Sequence, residues 1–404
     1  MTSAVKYLFS LEKFGMKFGL RNIQMLLHNL GDPQKKIRTV HVAGTNGKGS
    51  TSSMVAAILT AAGYNVGLYT SPHLVRFNER IRINGTMISD ADISRYIRKI
   101  KHHANTINAT FFETTTALAF QYFADRKVDI AVIETGLGGR LDSTNVLHPL
   151  VSVITSIGKD HTELLGKTVR SIAFEKAGII KRKVPVVIGS IKGQAKTVIL
   201  DVAKQKRSIV IDSSKIMLPH NIKIELQGNH QTGNARAAVS AINIVCRHFL
   251  IGDQAIREGL ENTTKLTGLS GRFELRKGKP EILLDVAHNP DGIKTLISGI
   301  QRLHYSKLVI IFGVMKDKDY RKMLVQFKKI KPIIIATQPK IDRALASEQL
   351  YSVCKEMDIR CFHAVNTRKA LDLAKAKTGK SGLLIIAGSH FLVGEIIPLL
   401  EKKP

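Results

Sequence analysis

The chain has 404 residues, 44% hydrophobic and 23% charged, a composition that suits a soluble globular protein long enough for two cored domains. Its formal net charge of +29 favours anionic partners, but the cations are scattered, there is no tryptophan, and no nucleic-acid-binding signature accompanies them. Three cysteines make neither a disulfide framework nor a zinc pattern, no apolar run reaches the length of a membrane span, and Lys6, Glu12, Lys13 and Lys17 interrupt any signal-like N-terminus, so a reducing cytoplasm is expected.

Residues 3–30 predict one or two amphipathic helices. The β-branched run 38–42 predicts a buried strand, and 50–62, apolar at helical spacing behind Ser50 and Thr51, predicts a helix. Between them lies Gly44-Thr45-Asn46-Gly47-Lys48-Gly49-Ser50. A glycine-rich turn from strand to helix aims successive backbone N–H groups at one point, reinforced by the positive end of the helix. Lys48 would neutralise β- and γ-phosphate charge, and the hydroxyl of Ser50 would bind the attendant Mg²⁺. The general pattern G-x-x-x-x-G-K-[ST] is not met literally, because Val42 stands where its first glycine belongs and Gly49 separates the lysine from the hydroxyl.

A second strand at 65–69 runs into Thr70-Ser71-Pro72-His73-Leu74 and a polar, Arg-rich loop to residue 85. That is a strand's C-terminal end, where open α/β sheets place ligands. Helices are expected at 90–102 and 113–124, then a strand at 128–133 with Glu134 at its end and Thr135-Gly136-Leu137-Gly138-Gly139-Arg140-Leu141-Asp142 behind it. An acidic residue in that position of a P-loop protein can hold Mg²⁺ directly or through water, whereas an isolated glutamate is usually just solvated. The strand at 151–155 leads to Gly158-Lys159-Asp160-His161. A lone histidine is more often structural than a ligand, but this one falls on the same rim as Ser50, Ser71 and Glu134. The alternation continues with helices at 168–177, 197–206 and 234–249 and strands at 184–188 and 209–211. A polar break at Lys277-Gly278-Lys279-Pro280 divides the chain into 1–276 and 277–404, after which strands at 282–285, 308–312, 333–336 and 383–387 and a helix from Pro290 predict a second, smaller sheet. The fold class expected is α/β: a P-loop-type parallel-sheet ATPase domain followed by a smaller Rossmann-like domain.

The segments HVAGTNGKGS, TSPHLVRFNERIRING, ETGLGGRLDSTN, IGKDHTELLGKT, EKAGIIK, GRFE, DVAHNP and FGVMKDKD together resemble the folylpolyglutamate synthase/dihydrofolate synthase family of the Mur-ligase superfamily. The altered loop spacing is that superfamily's own. Two departures are mild: Ser270 stands where a proline commonly precedes the Gly-Arg of GRFE, and His390 where an apolar residue is usual. The resemblance implies an ATP-dependent ligase that adds L-glutamate to a folate or dihydropteroate carboxylate through an acyl phosphate. It implies phosphate contacts from Asn46, Gly47, Lys48, Gly49 and Ser50, and further ATP contacts from Asn234, Arg272, Asp285 and His288, residues of both domains. It also implies two Mg²⁺ ions, one on Ser50 and a second on Ser71, Glu134 and His161; Lys176 matches a lysine the family carbamylates. Catalytic roles fall to Lys48, His161 and Lys176, and substrate contacts to Leu68, Tyr69, Thr70, Phe112, Glu113, Leu141, Asp142 and Ser143. For Lys176 a plain salt bridge, and for the phenylalanines simple core packing, are the alternatives that the residues alone leave open. A monomer with small-molecule partners, and neither nucleic acid nor membrane, is expected. The competing readings are another Mur-type amino-acid ligase, a basic P-loop ATPase acting on nucleic acid, and a non-catalytic nucleotide-binding module.

Overall fold

A computed structural model describes residues 2–15, 17, 19–219 and 222–401; of the predicted helical stretch 3–30, Met16 and Phe18 lie outside these. The first sheet contains β1 (Thr39–Ala43), β2 (Val66–Tyr69), β3 (Ile81–Ile83), β4 (Thr86–Met87), β5 (Ile130–Glu134), β6 (Val151–Ile154), β7 (Val186–Ile188) and β8 (Val210–Asp212). Its order is β4-β3-β2-β5-β1-β6-β7-β8. All neighbours pair parallel except β2 with β3 and β3 with β4. Buried at every position, β1 sits between β5 and β6 and reads as the near-continuous apolar run of a two-sided parallel strand. From β1 the chain moves toward β2, and from β6 it moves the other way, toward β7. The loops leaving these two strands therefore diverge at the switch point of the sheet, which opens the crevice where such folds bind ligands.

The Arg-rich loop expected at 75–85 is in part a hairpin. Asn84 and Gly85 adopt left-handed backbone (φ 47° and 76°), the pair a type I′ turn demands, and they join β3 to β4. Helices cover the sheet by their apolar stripes. In Asp90–Thr106 the side chains of Ile93, Ile97, Ile100 and Ala104 are buried at helical spacing, with Ser89 accepting from Asp92 N–H as the cap. Each buried isoleucine contributes about 1.5–3 kcal/mol by removal from water. Helix Phe111–Asp125 starts with a reciprocal capping box: Glu113 Oε2 accepts from Thr110 N–H at 2.7 Å, and Thr110 Oγ1 accepts from Glu113 N–H at 3.2 Å. Thr110→Ala is expected to cost about 1 kcal/mol and lower Tm by about 2–4 °C, read by thermal denaturation.

The second sheet contains β9 (Glu274–Arg276), β10 (Glu281–Leu284), β11 (Leu308–Phe312), β12 (Ile333–Ala336), β13 (Cys361–His363) and β14 (Leu383–Ala387), in the order β13-β12-β11-β14-β10-β9. Five strands run parallel, and β9 lies antiparallel on the edge of β10. This strand moves the boundary expected after residue 276: residues 270–276 are tied to the second sheet by the β9 ladder, and the second compact unit begins at Ser270. That unit also takes in His73–Arg76 and Leu226–His230, two short pieces flanked on both sides by residues of the first unit. Among the described residues no helix is long and apolar enough to cross a membrane.

Candidate active site

The turn after β1 is held by the loop after β6. Ser156 Oγ accepts from Asn46 N–H and donates to Asn46 O, both at 2.9 Å, while Thr155 Oγ1 donates to Asn46 O at 2.7 Å. Thr45 N–H donates to Ser156 O at 2.8 Å, and Gly158 N–H donates to Thr45 Oγ1 at 3.0 Å. These bonds fix the turn's backbone before any ligand arrives, so its N–H groups need little reorganisation. The helix starts at Lys48, two residues earlier than its apolar pattern suggests, with Gly47 as cap at φ 87°. A Cβ on Gly47 would stand 2.4 Å from Asn234 Oδ1, so both the left-handed backbone and the space require glycine. Asn234 Nδ2 donates to Gln231 Oε1 at 2.9 Å, and the buried Gln231 donates to Ser50 Oγ at 3.4 Å. Gln231, Thr155 and Ser156 carry no local sequence signal of this role; only the fold brings them to the turn.

Two lysines converge on one carbonyl. Lys48 Nζ donates to Gly44 O at 3.1 Å and to Thr45 O at 3.4 Å, and Lys176 Nζ donates to Gly44 O at 2.9 Å. Lys176 is only 4% exposed. Burial, and then the charge of Lys48, depress its ammonium to about 7. The helix carrying it, Val169–Ala177, is brought close by Gly139, where a Cβ would stand 2.8 Å from Glu175 O and 2.9 Å from Lys176 O.

Glu134 ends β5, 3% exposed, and its Oε2 accepts from Ser71 N–H at 3.2 Å. His161 follows β6 with left-handed backbone, its Nε2 3.9 Å from Asp160 Oδ1. Among the described residues no three His, Cys, Asp or Glu side chains gather as they would in an all-protein cation cage. A divalent ion on Ser50 or Glu134 would therefore take most ligands from phosphate and water, the habit of Mg²⁺, and the oxygen donors fit it. The imidazole of His161 is the unusual member of that set.

Among the expected substrate contacts, Leu68 and Tyr69 are buried on β2, and Tyr69 Oη pairs with Thr116 Oγ1 at 3.2 Å. The ring of Phe112 lies 6.2 Å from that of Tyr69 and packs on Gly136, where a Cβ would meet Phe112 Cζ at 2.4 Å. Thr70 N–H donates to Arg80 O, and Glu113 is committed to its capping box. Asp142 gathers the glycine-rich loop: Oδ2 accepts from Leu137 N–H at 2.8 Å and Oδ1 from Thr144 N–H at 3.0 Å. Ser143 is buried beside it and Leu141 half-buried. Burial pushes the Asp142 carboxyl above its usual range against these donors.

Arg272, Asp285 and His288 belong to the second unit. Asp285 follows β10; its Oδ2 accepts from Phe273 N–H at 2.8 Å and its Oδ1 from Ala287 N–H at 2.7 Å. The carboxylate thus fixes the backbone next to Arg272, and burial raises its pKa. The following helix is capped by Asn289, which accepts from Gly292 N–H, so Asp285 and His288 are not its cap. His288 Nδ1 donates to Val286 O at 2.9 Å. His390 Nε2 lies 3.5 Å from both Arg272 Nη1 and Nη2, and the His288 and His390 rings are 5.3 Å apart. Burial and Arg272 depress His230 to about 4.

The Mur ligase middle domain family matches residues 42–215, and the Mur ligase, glutamate ligase domain family matches residues 271–390. The chain is 36% identical to the dihydrofolate synthase/folylpolyglutamate synthase of Bacillus subtilis (strain 168), with 95% of each covered. It is 37% identical to the folylpolyglutamate synthase of Lacticaseibacillus casei over 80% of this chain and 81% of that one. The folylpolyglutamate synthase of Mycobacterium tuberculosis complexed with ADP and AMPPCP superposes at a TM-score of 0.89 and 31% identity, covering 100% of both chains. The Escherichia coli FolC structure in complex with DHPP and ADP does so at 0.89 and 28%, covering 99% of this chain and 98% of that one. Sequence and fold agree along nearly the full length, and the chain belongs to the folylpolyglutamate synthase/dihydrofolate synthase family of the Mur ligases.

Proposed function

We propose that the chain is an ATP-dependent amide ligase that joins L-glutamate to the carboxylate of a tetrahydrofolate, of dihydropteroate, or of both. The observation that carries this reading is the pre-tied turn 44–50 with Lys48 and the buried Lys176 on one carbonyl. A carboxylate is a poor electrophile because oxide is an untenable leaving group; transfer of the γ-phosphoryl gives an acyl phosphate whose phosphate can leave. The amine of glutamate then attacks the acyl carbon, phosphate departs, and the surplus amine proton is lost to solvent. The protein's task is therefore phosphoryl charge neutralisation and alignment of anionic substrates.

The N–H groups of residues 47–50 hold the phosphates, with Asn46 fastened to Ser156 beneath them, and Lys48 moves from the Gly44 and Thr45 carbonyls onto the transferring group. Gln231 orients the Ser50 hydroxyl, and Asn234 backs the turn at Gly47. Ser50, and Glu134 with Ser71 and His161, would hold Mg²⁺, which supplies charge stabilisation at the phosphoryl oxygens when bound. A neutral Lys176 amine adds to CO₂ with loss of one proton, which turns a buried cation into a carbamate anion able to orient that metal. Arg272, Asp285, His288 and Asn234 serve the nucleotide; Tyr69, Phe112 and the Asp142 loop serve the pterin end. The phosphate turn thus falls to residues 42–215, while the second unit carries glutamate ligation besides its nucleotide contacts, in a cytoplasmic monomer whose Cys354 and Cys361 are buried free thiols.

The test is ATP-dependent phosphate release with L-glutamate and either 7,8-dihydropteroate or a tetrahydrofolate. Release with at least one is expected, and release with neither overturns the assignment. The pair of acceptors also tells which of the two activities the chain has.

A further inference from the structure

We infer that His41 is a positioning residue for the Asp142 carboxylate, acting through the hydroxyl of Thr144, and thereby sets affinity for the folate-type substrate. The inference rests on the proposed role of the Asp142 loop at the pterin end. His41 stands in the centre of β1, fully buried between Val40 and Val42, in a strand where an aliphatic side chain would fit the pattern. Its Nε2 lies 2.8 Å from Thr144 Oγ1, and Thr144 Oγ1 lies 2.5 Å from Asp142 Oδ1. The same Oδ1 accepts from Thr144 N–H at 3.0 Å, and Oδ2 accepts from Leu137 N–H at 2.8 Å, with a further backbone donor at Gly136.

The direction of these bonds follows from counting protons. A carboxylate ringed by donors can only accept, so the single Thr144 hydroxyl proton goes to Asp142. The hydroxyl oxygen must then accept from the imidazole, which fixes His41 as the Nε2–H tautomer. Its Nδ1 is left a buried lone pair with no hydrogen-bond partner. An unpartnered ring nitrogen is a cost that valine or leucine at this position would avoid, so the imidazole's value lies in its other nitrogen. Burial, and then Lys181, hold His41 down to about 3, so it is a neutral, constant donor across the working pH range. Lys181 itself donates to Asn145 O, one residue past Thr144. The relay starts three residues before the phosphate turn, so one strand registers both the turn and the substrate loop.

Four variants of the full chain test this: His41→Leu and Thr144→Val, which break the relay, and His41→Gln and Thr144→Ser, which keep a donor in place. Steady-state phosphate release is measured while the folate-type acceptor is varied at saturating ATP and glutamate, and ADP binding is measured by calorimetry. The breaking variants are expected to raise the acceptor KM about 10-fold, with ADP affinity and ATP KM held within about twofold. The keeping variants should stay near wild type. In Thr144→Val the acid limb of kcat/KM should also move to higher pH, because the carboxylate loses a donor. An unchanged acceptor KM in folded Thr144→Val overturns the inference, as does a uniform loss across all substrates, which marks a merely structural bond. Should His41→Leu fail to fold, the Thr144 pair decides alone. Absence of phosphate release in the wild type with either acceptor instead overturns the parent reading, an outcome distinct from unchanged KM values in an active enzyme.

Discussion

Lys48→Ala should lower turnover by about 10²–10⁴ while the chain stays folded. Its ammonium is the one charged group carried by the turn itself, and it rests on the Gly44 and Thr45 carbonyls, positioned to transfer to a phosphate. The fold is expected to survive because the turn is fastened by other groups: Thr155, Ser156 and Gly158 bind it through Thr45 and Asn46, independently of the lysine. Circular dichroism and Tm should therefore match wild type while phosphate release collapses. Near-normal release from a folded variant would remove the turn from the mechanism.

The second large effect belongs to Lys176. Its pKa of about 7 lies well below the usual lysine range, so the ammonium form dominates below that pH and the neutral amine above it. Only the amine takes up CO₂. Activity should consequently depend on dissolved CO₂, and depletion should be felt less as pH rises above about 7, where more amine is free to recapture what remains. Lys176→Ala is expected to cost about 10–100-fold in rate, the scale for groups that orient a metal's ligands, and to be partly rescued by a short carboxylic acid. ¹³C NMR with labelled bicarbonate reads the carbamate directly. An unmodified ammonium in fully active protein would sink the proposal.

Much of the first sheet can be read from sequence because its central parallel strands, β1, β2, β5, β6 and β7, are apolar runs buried on both faces. The phosphate turn is legible for the same reason: β1 and the helix behind it bracket the glycines. What escaped is either short or long-range. Strands β3, β4, β9 and β13 have two or three residues, too few to show a period of two, and β9 alone was enough to shift the domain boundary. Gln231 reaches Ser50 across 181 positions of sequence, and no local pattern announces such a bond. His41 was hidden differently, since a histidine inside Thr39–Ala43 looks like one more core residue until the Thr144 hydroxyl is found against it. Glu113 is offered as a substrate contact by its motif alone, and the structure adds that its Oε2 caps the start of its own helix.

The ownership of His73–Arg76 and Leu226–His230 by the second unit bears on how such a protein can be inherited. Leu74 belongs with the second unit's last helix: a Cβ on Gly394 would stand 2.0 Å from the Leu74 carbonyl oxygen, and one on Gly271 would stand 3.1 Å from Leu74 Cδ1. A gene fragment encoding residues 270–404 would lack those residues and leave bare the backbone of a helix shaped to receive them. Each unit is compact in itself but drawn from separate stretches of the gene, so recombination at a single breakpoint cannot exchange one for a foreign counterpart intact. Divergence of acceptor preference in this lineage is therefore expected to proceed by substitution in place, with the loop around Leu74 and the His390–Glu401 helix changing together.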